Sequence, residues 1–485
     1  MPCRGRLARA AGACLIVAAS GCGGSSSPTA ATSAPPAATG RPNFVVIIAD
    51  DMAYGLFGSG RRLPFLQLPN LQALAAQGVQ FDHAFVTTSL CSPSRATILS
   101  GLYSHAHGVT ANENQELAAS IPTFPMYLHQ AGYKTAFIGK WHMDSSRDSP
   151  RPGFDHWVSF RGQGVYDDPA LNVDGTVVKR SGYITDLLTD YAVEWLNQRT
   201  SEPFLLVLAH KAPHAPFEPA PRHEGAFVGA SLPEPGNFED TFAGKPSWQR
   251  RYAVCGGTVT AFTECPDPQP PTLAVTPWPD HVPWMLNYTR TLLALDESVG
   301  RVLSTLDGRG LGRSTYVLFM SDNGFFLGEH RLGDKRVAYE ESLRVPMVMR
   351  GPGIAPRTSS ALVLNLDVAP TVLDLAGVPV PAAMQGKSLA RLLRSEATGV
   401  RDAFLYEYTT DPRIPVVPSI LGLRTLNQKY VTYPDDPGDE ELYNLDSDEV
   451  ELKNLVDRPE WSASRAELRQ RLARLLQETG GTSLR

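Results

Sequence analysis

Four stretches of the chain are apolar without interruption and then turn abruptly polar: "NFVVIIADD", "YKTAFIGKWH", "FLLVLAHKAPH" and "TYVLFMSDN". Runs of this length without alternation predict strands buried on both faces, as in parallel sheets covered by helices. Between them, apolar positions recur at helical spacing. "LPNLQALAAQG" predicts a helix stopped by Gly78, "TFPMYLHQAG" a second, "ITDLLTDYAVEWLNQR" an amphipathic third and "LNYTRTLLALDESVGRVLSTLDGRG" a long fourth. "VQFDHAF" alternates like a strand. From Ser92 onward Ile98, Leu99 and Leu102 keep helical spacing, with Pro93 suited to a first turn. "VPMVMRGPG" and "LDVAPTVLDLAG" continue the alternation. The expected fold is α/β, a large mixed, mostly parallel sheet flanked by helices.

Two regions break this texture. Residues from about 218 to 285 are rich in Pro, Gly and aromatics with no period, which predicts a long irregular insertion. Past residue 397, "FLYEYTT", "LGLRTLNQKYVTYP" and "EELYNLD" precede a charged terminal helix, predicting a small antiparallel sheet plus one helix. The expected organisation is a main domain over residues 42–396 and a small C-terminal α+β subdomain over 397–485.

The N-terminus reads as a processing segment. Arg4, Arg6 and Arg9 precede "AGACLIVAAS", an apolar run too short to span a bilayer, which ends in a lipobox-like "ASGC". Residues 1–21 are expected to be a lipoprotein signal peptide, with Cys22 lipidated and 22–41 forming a flexible tether. The expected address is the envelope of a bacterial cell, periplasmic or cell-surface, with the chain exported and anchored through lipid.

Composition narrows the partners. Of 485 residues, 42% are hydrophobic and 19% charged, ordinary for a globular protein, and the net charge of −6 argues against nucleic acid. An anionic substrate would need a local basic pocket. Cys3 and Cys14 leave with the signal, and Cys22 takes the lipid. Cys255 and Cys265 bracket "CGGTVTAFTEC" and are expected to pair outside the cytoplasm. Cys91 is left over, directly before Ser-Pro-Ser-Arg.

Chemistry collects where the four apolar runs end: Asp50-Asp51, Lys140 and His142, His210 to His214, and Asp322-Asn323. Open α/β sheets bind ligands beyond the carboxyl ends of their strands. One such pair is an ordinary strand-end turn; an Asp-Asp and an Asp-Asn pair together are not. Their all-oxygen donor set suits Ca²⁺, with Mg²⁺ second, and argues against zinc. Arg95, Lys140 and Lys335, with His142 and His214, could hold a tetrahedral anion against such a metal.

"CSPSRATILSG" resembles the signature of the type I sulfatases, in which the Cys-x-Pro-Ser-Arg cysteine is oxidised to formylglycine (3-oxoalanine). It is accompanied, in family order, by "PNFVVIIADDMAYG", "GLYSHAHGV", "GKWH", "APHAPF", "SDNG", "GDKR" and the closing "ELYNLDSDEVELKNL". The resemblance implies an alkaline-phosphatase-like fold and sulfuric ester hydrolysis. It implies Asp50, Asp51, Asp322 and Asn323 as metal ligands, and Cys91 as the modified residue, also touching the metal. Arg95 would orient the formylglycine, Lys140 and His142 match the "GKWH" pair, and Lys335 matches the sulfate-binding lysine. In the implied reaction a hydroxyl of the hydrated aldehyde attacks sulfur, His214 protonates the leaving alcohol, and His142 takes a proton as sulfate departs. A formylglycine-generating enzyme is the implied maturation partner. His105 and His107 match a family motif but are expected to be structural, and His210 is a weaker choice than His214.

"HKAPHAPFEPAPRH" and "GEHRLGDKRVAYEESLRVPMVMRGPG" look like the N-acetylglucosamine-6-sulfatase and extracellular glucosamine-sulfatase branch. A sulfated sugar is therefore the expected substrate, with Trp248, Trp278 and Trp284 as available stacking faces. Alternatives are an arylsulfatase or choline-type sulfatase, a phosphonate monoester or phosphodiester hydrolase of the same superfamily, and a catalytically silent glycan-binding surface lipoprotein.

Overall fold

The structure, a computed structural model, describes residues 40–57, 62–112, 115–144, 146–255 and 278–482. The expected signal peptide, Cys22 and Cys265 lie outside these residues, and so do the side chains of Cys255 and Trp278. Among the described residues a ten-stranded sheet forms the centre. Thr315–Ser321, Asn43–Ala49, Phe204–Ala209 and Lys134–Gly139 are consecutive neighbours in it, all parallel. These are the four uninterrupted apolar runs. At about 4.8 Å per strand, their carboxyl ends line a row roughly 15 Å long.

Alternation within each strand feeds two cores. Val45, Ile47 and Ala49 face one side with Leu206, Leu208, Val317 and Phe319, against the helices Ile184–Asn197 and Trp278–Gly308. Phe44, Val46 and Ile48 face the other with Leu205, Val207, Leu318 and Met320, against Cys91–Ser100, Phe124–Gln130 and Val368–Leu375. Each of these side chains larger than alanine contributes about 1.5–3 kcal/mol by leaving water. That is why these strands carry no polar alternation.

Met347–Arg350 pairs antiparallel with Thr315–Ser321, and Val79–Phe81 and Arg357–Ser359 complete that edge. The other edge is His156–Ser159 followed by the hairpin Ala170–Val173/Thr176–Lys179.

The region expected to be irregular is partly helical. Ser247–Cys255 is a helix, and the long helix starts at Trp278, about two turns before the expected Leu286. Pro283 masks that start in the sequence: inside a helix it removes one backbone donor, a cost that packing of Met285, Tyr288 and Leu292 offsets. The C-terminal part is an antiparallel sheet of Ala403–Tyr408, Ile420–Thr425, Gln428–Thr432 and Glu440–Asn444. The helix Ser462–Glu478 lays Leu468, Leu472 and Leu476 into the core of this sheet. Among the described residues no helix is long and apolar enough to cross a membrane.

Candidate active site

The backbone ladder continues past the four strand ends and sets their relative heights. His210 N donates to Ile48 O (2.8 Å), Lys140 N to Ala209 O (2.8 Å), Asp322 N to Ala49 O (3.0 Å) and Asp50 N to Ala212 O (3.1 Å). Asp51 then adopts a left-handed backbone, φ 68°, a conformation that costs a non-glycine residue about 1–2 kcal/mol. Two contacts hold it there: Tyr288 OH donates to Asp51 O (2.7 Å), and Asp51 N donates to Asp322 Oδ1 (3.1 Å).

Cys91 is the first residue of the helix Cys91–Ser100, all of whose residues are buried. The N-cap, Leu90, offers no side-chain acceptor, so the first turn is satisfied otherwise. Ser92 N donates to Asn112 Oδ1 (3.0 Å), Pro93 has no donor, and Ser94 N reaches Leu90 O (3.0 Å). Arg95, four residues after Cys91, shares its face of the helix. Its Nε and a terminal nitrogen meet Asp322 Oδ2 at 2.9 and 2.8 Å, and the other terminal nitrogen donates to Lys140 O (2.6 Å).

The remaining groups close around the sulfur. Cys91 Sγ lies 3.5 Å from Asp50 Oδ1, 3.9 Å from Asp51 Oδ1 and 3.0 Å from Lys335 Nζ. Lys140 bonds Asp50 and Gln163, and Lys335 bonds Asp51. His214 Nε2 is 3.6 Å from Asp51 Oδ2, while its Nδ1 donates to Ala215 O (2.6 Å). His142, also left-handed at φ 62°, sets Nδ1 3.3 Å from Ser92 Oγ, and that hydroxyl donates to His142 O (2.7 Å).

The structure thus brings together all ten residues singled out: Asp50, Asp51, Cys91, Arg95, Lys140, His142, His214, Asp322, Asn323 and Lys335. The other histidines go elsewhere. His107 bonds Thr97 Oγ1 (3.1 Å) and accepts from Val109 N (3.1 Å), His105 joins Glu407 to Thr479 O, and His210 meets Ser298 Oγ (2.9 Å). Trp248 corrects an expectation: it is fully buried against Tyr433, its ring spent on core packing, so it offers no face to a sugar. Trp284 is half-buried and stacks on Phe217, three residues after His214. The sequence reading missed Gln163, Tyr166, Lys211 and Tyr288. No periodicity marks them; only the Gly162-Gln163-Gly164 triplet, with both glycines at positive φ, signals a chain bent toward something.

Three carboxylates face three buried cations. Burial pushes the Cys91 thiol up to about 12, with Asp50 and Asp51 adding to the rise against Lys140 and Lys335. In the field of the protein alone the side chain stays a thiol at neutral pH, which is inert as a nucleophile. Burial alone would raise Asp50, but Lys140, His214, Arg95 and Lys335 hold it well below the usual carboxylate range. Asp322 is raised to about 7 by burial, Arg95 opposing and Asp50 and Asp51 reinforcing. Burial, then Lys140, holds His142 well below its ordinary value. His214 falls to about 3 from the same two causes, Asp50 and Asp51 opposing.

A divalent cation fits this set. Oxygens of Asp50, Asp51 and Asp322 lie within 4.8 Å of one another. Asn323 donates through Nδ2 to Asp51 Oδ1 (2.6 Å) and Gly324 O (2.8 Å), which leaves its buried Oδ1 without a hydrogen-bond partner. An unmatched amide oxygen beside three carboxylates is the donor chemistry of a hard cation.

Residues 42–378 match the family model described as Sulfatase, and 328–478 match N-sulphoglucosamine sulphohydrolase, C-terminal. The chain belongs to the sulfatase family. It is a sulfuric ester hydrolase, and the family implies a bound metal and a formylglycine. An N-acetylglucosamine-6-O-sulfatase of Bacteroides thetaiotaomicron is 34% identical, over 91% of this chain and 86% of that protein. The human N-acetylglucosamine-6-sulfatase is 30% identical, over 87% and 82%. A solved complex with the substrate D-glucosamine-2-N,6-O-disulfate superposes with a TM-score of 0.83 at 32% identity, covering 91% of this sulfatase and 98% of that chain.

Proposed function

We propose that this sulfatase hydrolyses the 6-O-sulfate ester of a glucosamine-type sugar, with Cys91 acting as formylglycine and Ca²⁺ held by Asp50, Asp51, Asp322 and Asn323. The observation that carries the chemistry is the convergence of the Asp50 and Asp51 carboxylates and the Lys335 ammonium on Cys91 Sγ, with Asp322 within 4.8 Å of those two carboxylates. The substrate reading is supported by the relatives that act on N-acetylglucosamine 6-sulfate and by the match to the D-glucosamine-2-N,6-O-disulfate complex.

When present, the metal supplies Lewis-acid polarisation of the ester and the hydrated aldehyde supplies a hydroxyl nucleophile. The chain's own groups do the rest. Lys140, Lys335 and Arg95, all buried, offset the charge of the sulfate ester. His214 keeps Nδ1–H on Ala215 O, so Nε2 is the atom that moves a proton. As the S–O bond breaks, its electron pair goes to the sugar oxygen, Nε2 delivers a proton there, and the ring is left neutral. An alkoxide is a poor leaving group, which is why this acid is needed. Burial and Lys140 lower His214 to about 3 in the free protein, and the negative charge of a bound ester opposes them, so the imidazole takes its proton from solvent as the ester binds. In His142 the Ser92 hydroxyl proton is committed to His142 O, so Nδ1 donates to Ser92 Oγ and Nε2 keeps a free lone pair. That lone pair takes the proton released as sulfate departs.

The same proposal puts the protein outside the cytoplasm, lipidated at Cys22 and with Cys255 paired to Cys265. What supports it is the basic N-terminus, the short apolar run and the "ASGC" that follows.

Protein matured in a host that makes formylglycine is assayed for sulfate release from N-acetylglucosamine 6-sulfate, an aryl sulfate and choline sulfate, and for hydrolysis of a phosphonate monoester. The sugar ester turns over with the highest kcat/KM. Turnover of any of the others, with none on the sugar, overturns the assignment.

A further inference from the structure

We propose that Lys211 is a positioning residue that aims the imidazole of His214; this rests on the reading of His214 as the acid for the sugar leaving group. Lys211 is fully buried beside the site, yet it has none of the roles described above. Lys140 and Lys335 bond Asp50 and Asp51. Lys211 instead has a carbonyl and an aromatic face as partners. Its Nζ donates to Ala215 O (3.0 Å) and sits 4.7 Å from the centre of the Tyr166 ring.

Both partners belong to the mounting of His214. Ala215 O is the same carbonyl that accepts His214 Nδ1–H at 2.6 Å. Tyr166 OH donates to the carbonyl of His214 itself (2.7 Å), and His214 N donates back to Lys211 O (2.9 Å). Lys211 and Tyr166 therefore pin the two consecutive carbonyls that fix the imidazole, one at its backbone and one at its ring. With Nδ1 tied to Ala215 O, Nε2 is directed to the side of Asp51.

Stability does not account for this lysine. A buried ammonium on one carbonyl and one ring face has less compensation than an ion pair would give. A methionine of similar length would fill the space without that cost. Burial pulls the Lys211 ammonium down to about 8, Lys140 adding to the fall and Asp50, Asp51 and Glu218 opposing it, so it remains charged at neutral pH. A charged donor grips the Ala215 carbonyl more firmly than a neutral one. Released, that carbonyl and the imidazole on it can drift, and a displacement near 1 Å of a reacting group costs about a hundredfold in rate.

The test uses the full-length mature enzyme and four variants, Lys211→Met, Lys211→Arg, Tyr166→Phe and His214→Ala, with the double variant Lys211→Met/His214→Ala. Each is assayed on N-acetylglucosamine 6-sulfate and on an activated aryl sulfate whose phenolate leaves without an acid, and thermal melts check the fold. We expect His214→Ala and Lys211→Met both to lose at least tenfold more kcat/KM on the sugar ester than on the aryl ester. The double variant is then no worse than His214→Ala, Lys211→Arg recovers part of the loss, and Tyr166→Phe shifts in the same direction. Tyr166→Phe carries the test alone if Lys211→Met does not fold. A selective His214→Ala beside a Lys211→Met that loses equally on both substrates, or adds fully in the double variant, overturns the positioning role and leaves the acid reading standing. Equal losses for His214→Ala itself overturn the acid reading, and this inference with it.

Discussion

Lys335 Nζ lies 3.0 Å from Cys91 Sγ although 244 residues separate them in the chain. The lysine also bonds Asp51, so one ammonium bridges the cysteine and a metal-site carboxylate. It is presented by a tightly bent loop. Asp334 and Arg336, on either side of it, are left-handed at φ 66° and 84°, and neither is a glycine. Backbone in such regions persists where surrounding contacts over-determine it, as at functional sites.

Removing either partner should lower turnover, to different extents and for different reasons. Cys91→Ala loses the side chain that becomes the aldehyde, so activity falls to background while the melting midpoint stays close to wild type. Lys335→Met keeps the aldehyde but loses a charged donor, costing about 10²–10³ in kcat. Mass spectrometry of the Cys91 peptide and an aldehyde-reactive probe check the first claim. Active protein whose Cys91 is entirely thiol would refute it.

The metal site gives a second prediction. A ligand that binds only the folded state at a hundred times its Kd adds about 2.7 kcal/mol of stability. Chelation should therefore lower both activity and melting midpoint, and Ca²⁺ should restore both more fully than Mg²⁺. Asn323→Ala removes the unpartnered Oδ1 and should weaken Ca²⁺ affinity without unfolding the chain. Zinc, or no metal at all, in elemental analysis of active enzyme would contradict the oxygen-ligand reading.

The four central strands were legible because burial on both faces leaves an unbroken apolar run, and their polar ends are the site. The gaps in the reading have physical causes too. The hairpin Ala170–Val173/Thr176–Lys179 is short, but its tip, Asp174-Gly175, has φ 51° and 93°, the signature of a tight hairpin turn that "VDGT" offered and the reading passed over. Pro283 hid the start of the long helix. Lys211 and Tyr166 act on carbonyls, and no side-chain pattern reveals a carbonyl that needs holding. Trp248 looked like a sugar platform because composition cannot tell a buried indole from an exposed one.

His105 ties the main sheet's surroundings to the C-terminal sheet, with Nδ1 2.8 Å from Glu407 Oε2 and Nε2 2.9 Å from Thr479 O. Burial alone would lower its value, but the bond to Glu407, that residue's charge and the Thr479 carbonyl raise it above 6.5. A folded value above the unfolded one stabilises fully below about pH 6.5, and the gain is lost as pH rises through the folded value. The difference in melting midpoint between wild type and His105→Gln should therefore be largest near pH 6 and shrink toward pH 9. A difference that grew with pH would assign the residue a neutral role.

The loop that carries Lys335 is also clamped from outside. His330 is fully buried, stacked on Tyr339 with centroids 4.1 Å apart, and bonded through Nδ1 to Asp240 Oδ2 (2.7 Å). Lys245 meets the same carboxylate oxygen at 2.6 Å and donates to Glu451 O (2.6 Å), joining the insertion, the lysine loop and the C-terminal part. Burial would raise Asp240, but the His330 bond and the Lys245 charge carry it down to about 2. With the folded value below the unfolded 3.8, its contribution is present above about pH 4 and fades as pH falls toward 2. Lys245→Met leaves the buried Asp240 carboxylate with His330 and the Phe242 amide as partners but without its lysine counter-charge and should cost up to about 3 kcal/mol, whereas Lys245→Met with Asp240→Asn removes both charges and should cost less. Asp240→Asn should also flatten the acid limb of the stability curve. Because the clamp steadies the loop of Lys335 rather than His214, the acid proposed above for the leaving group, these variants should lose activity equally on sugar and aryl sulfates. A loss confined to the sugar ester would mean that the clamp acts through His214 instead.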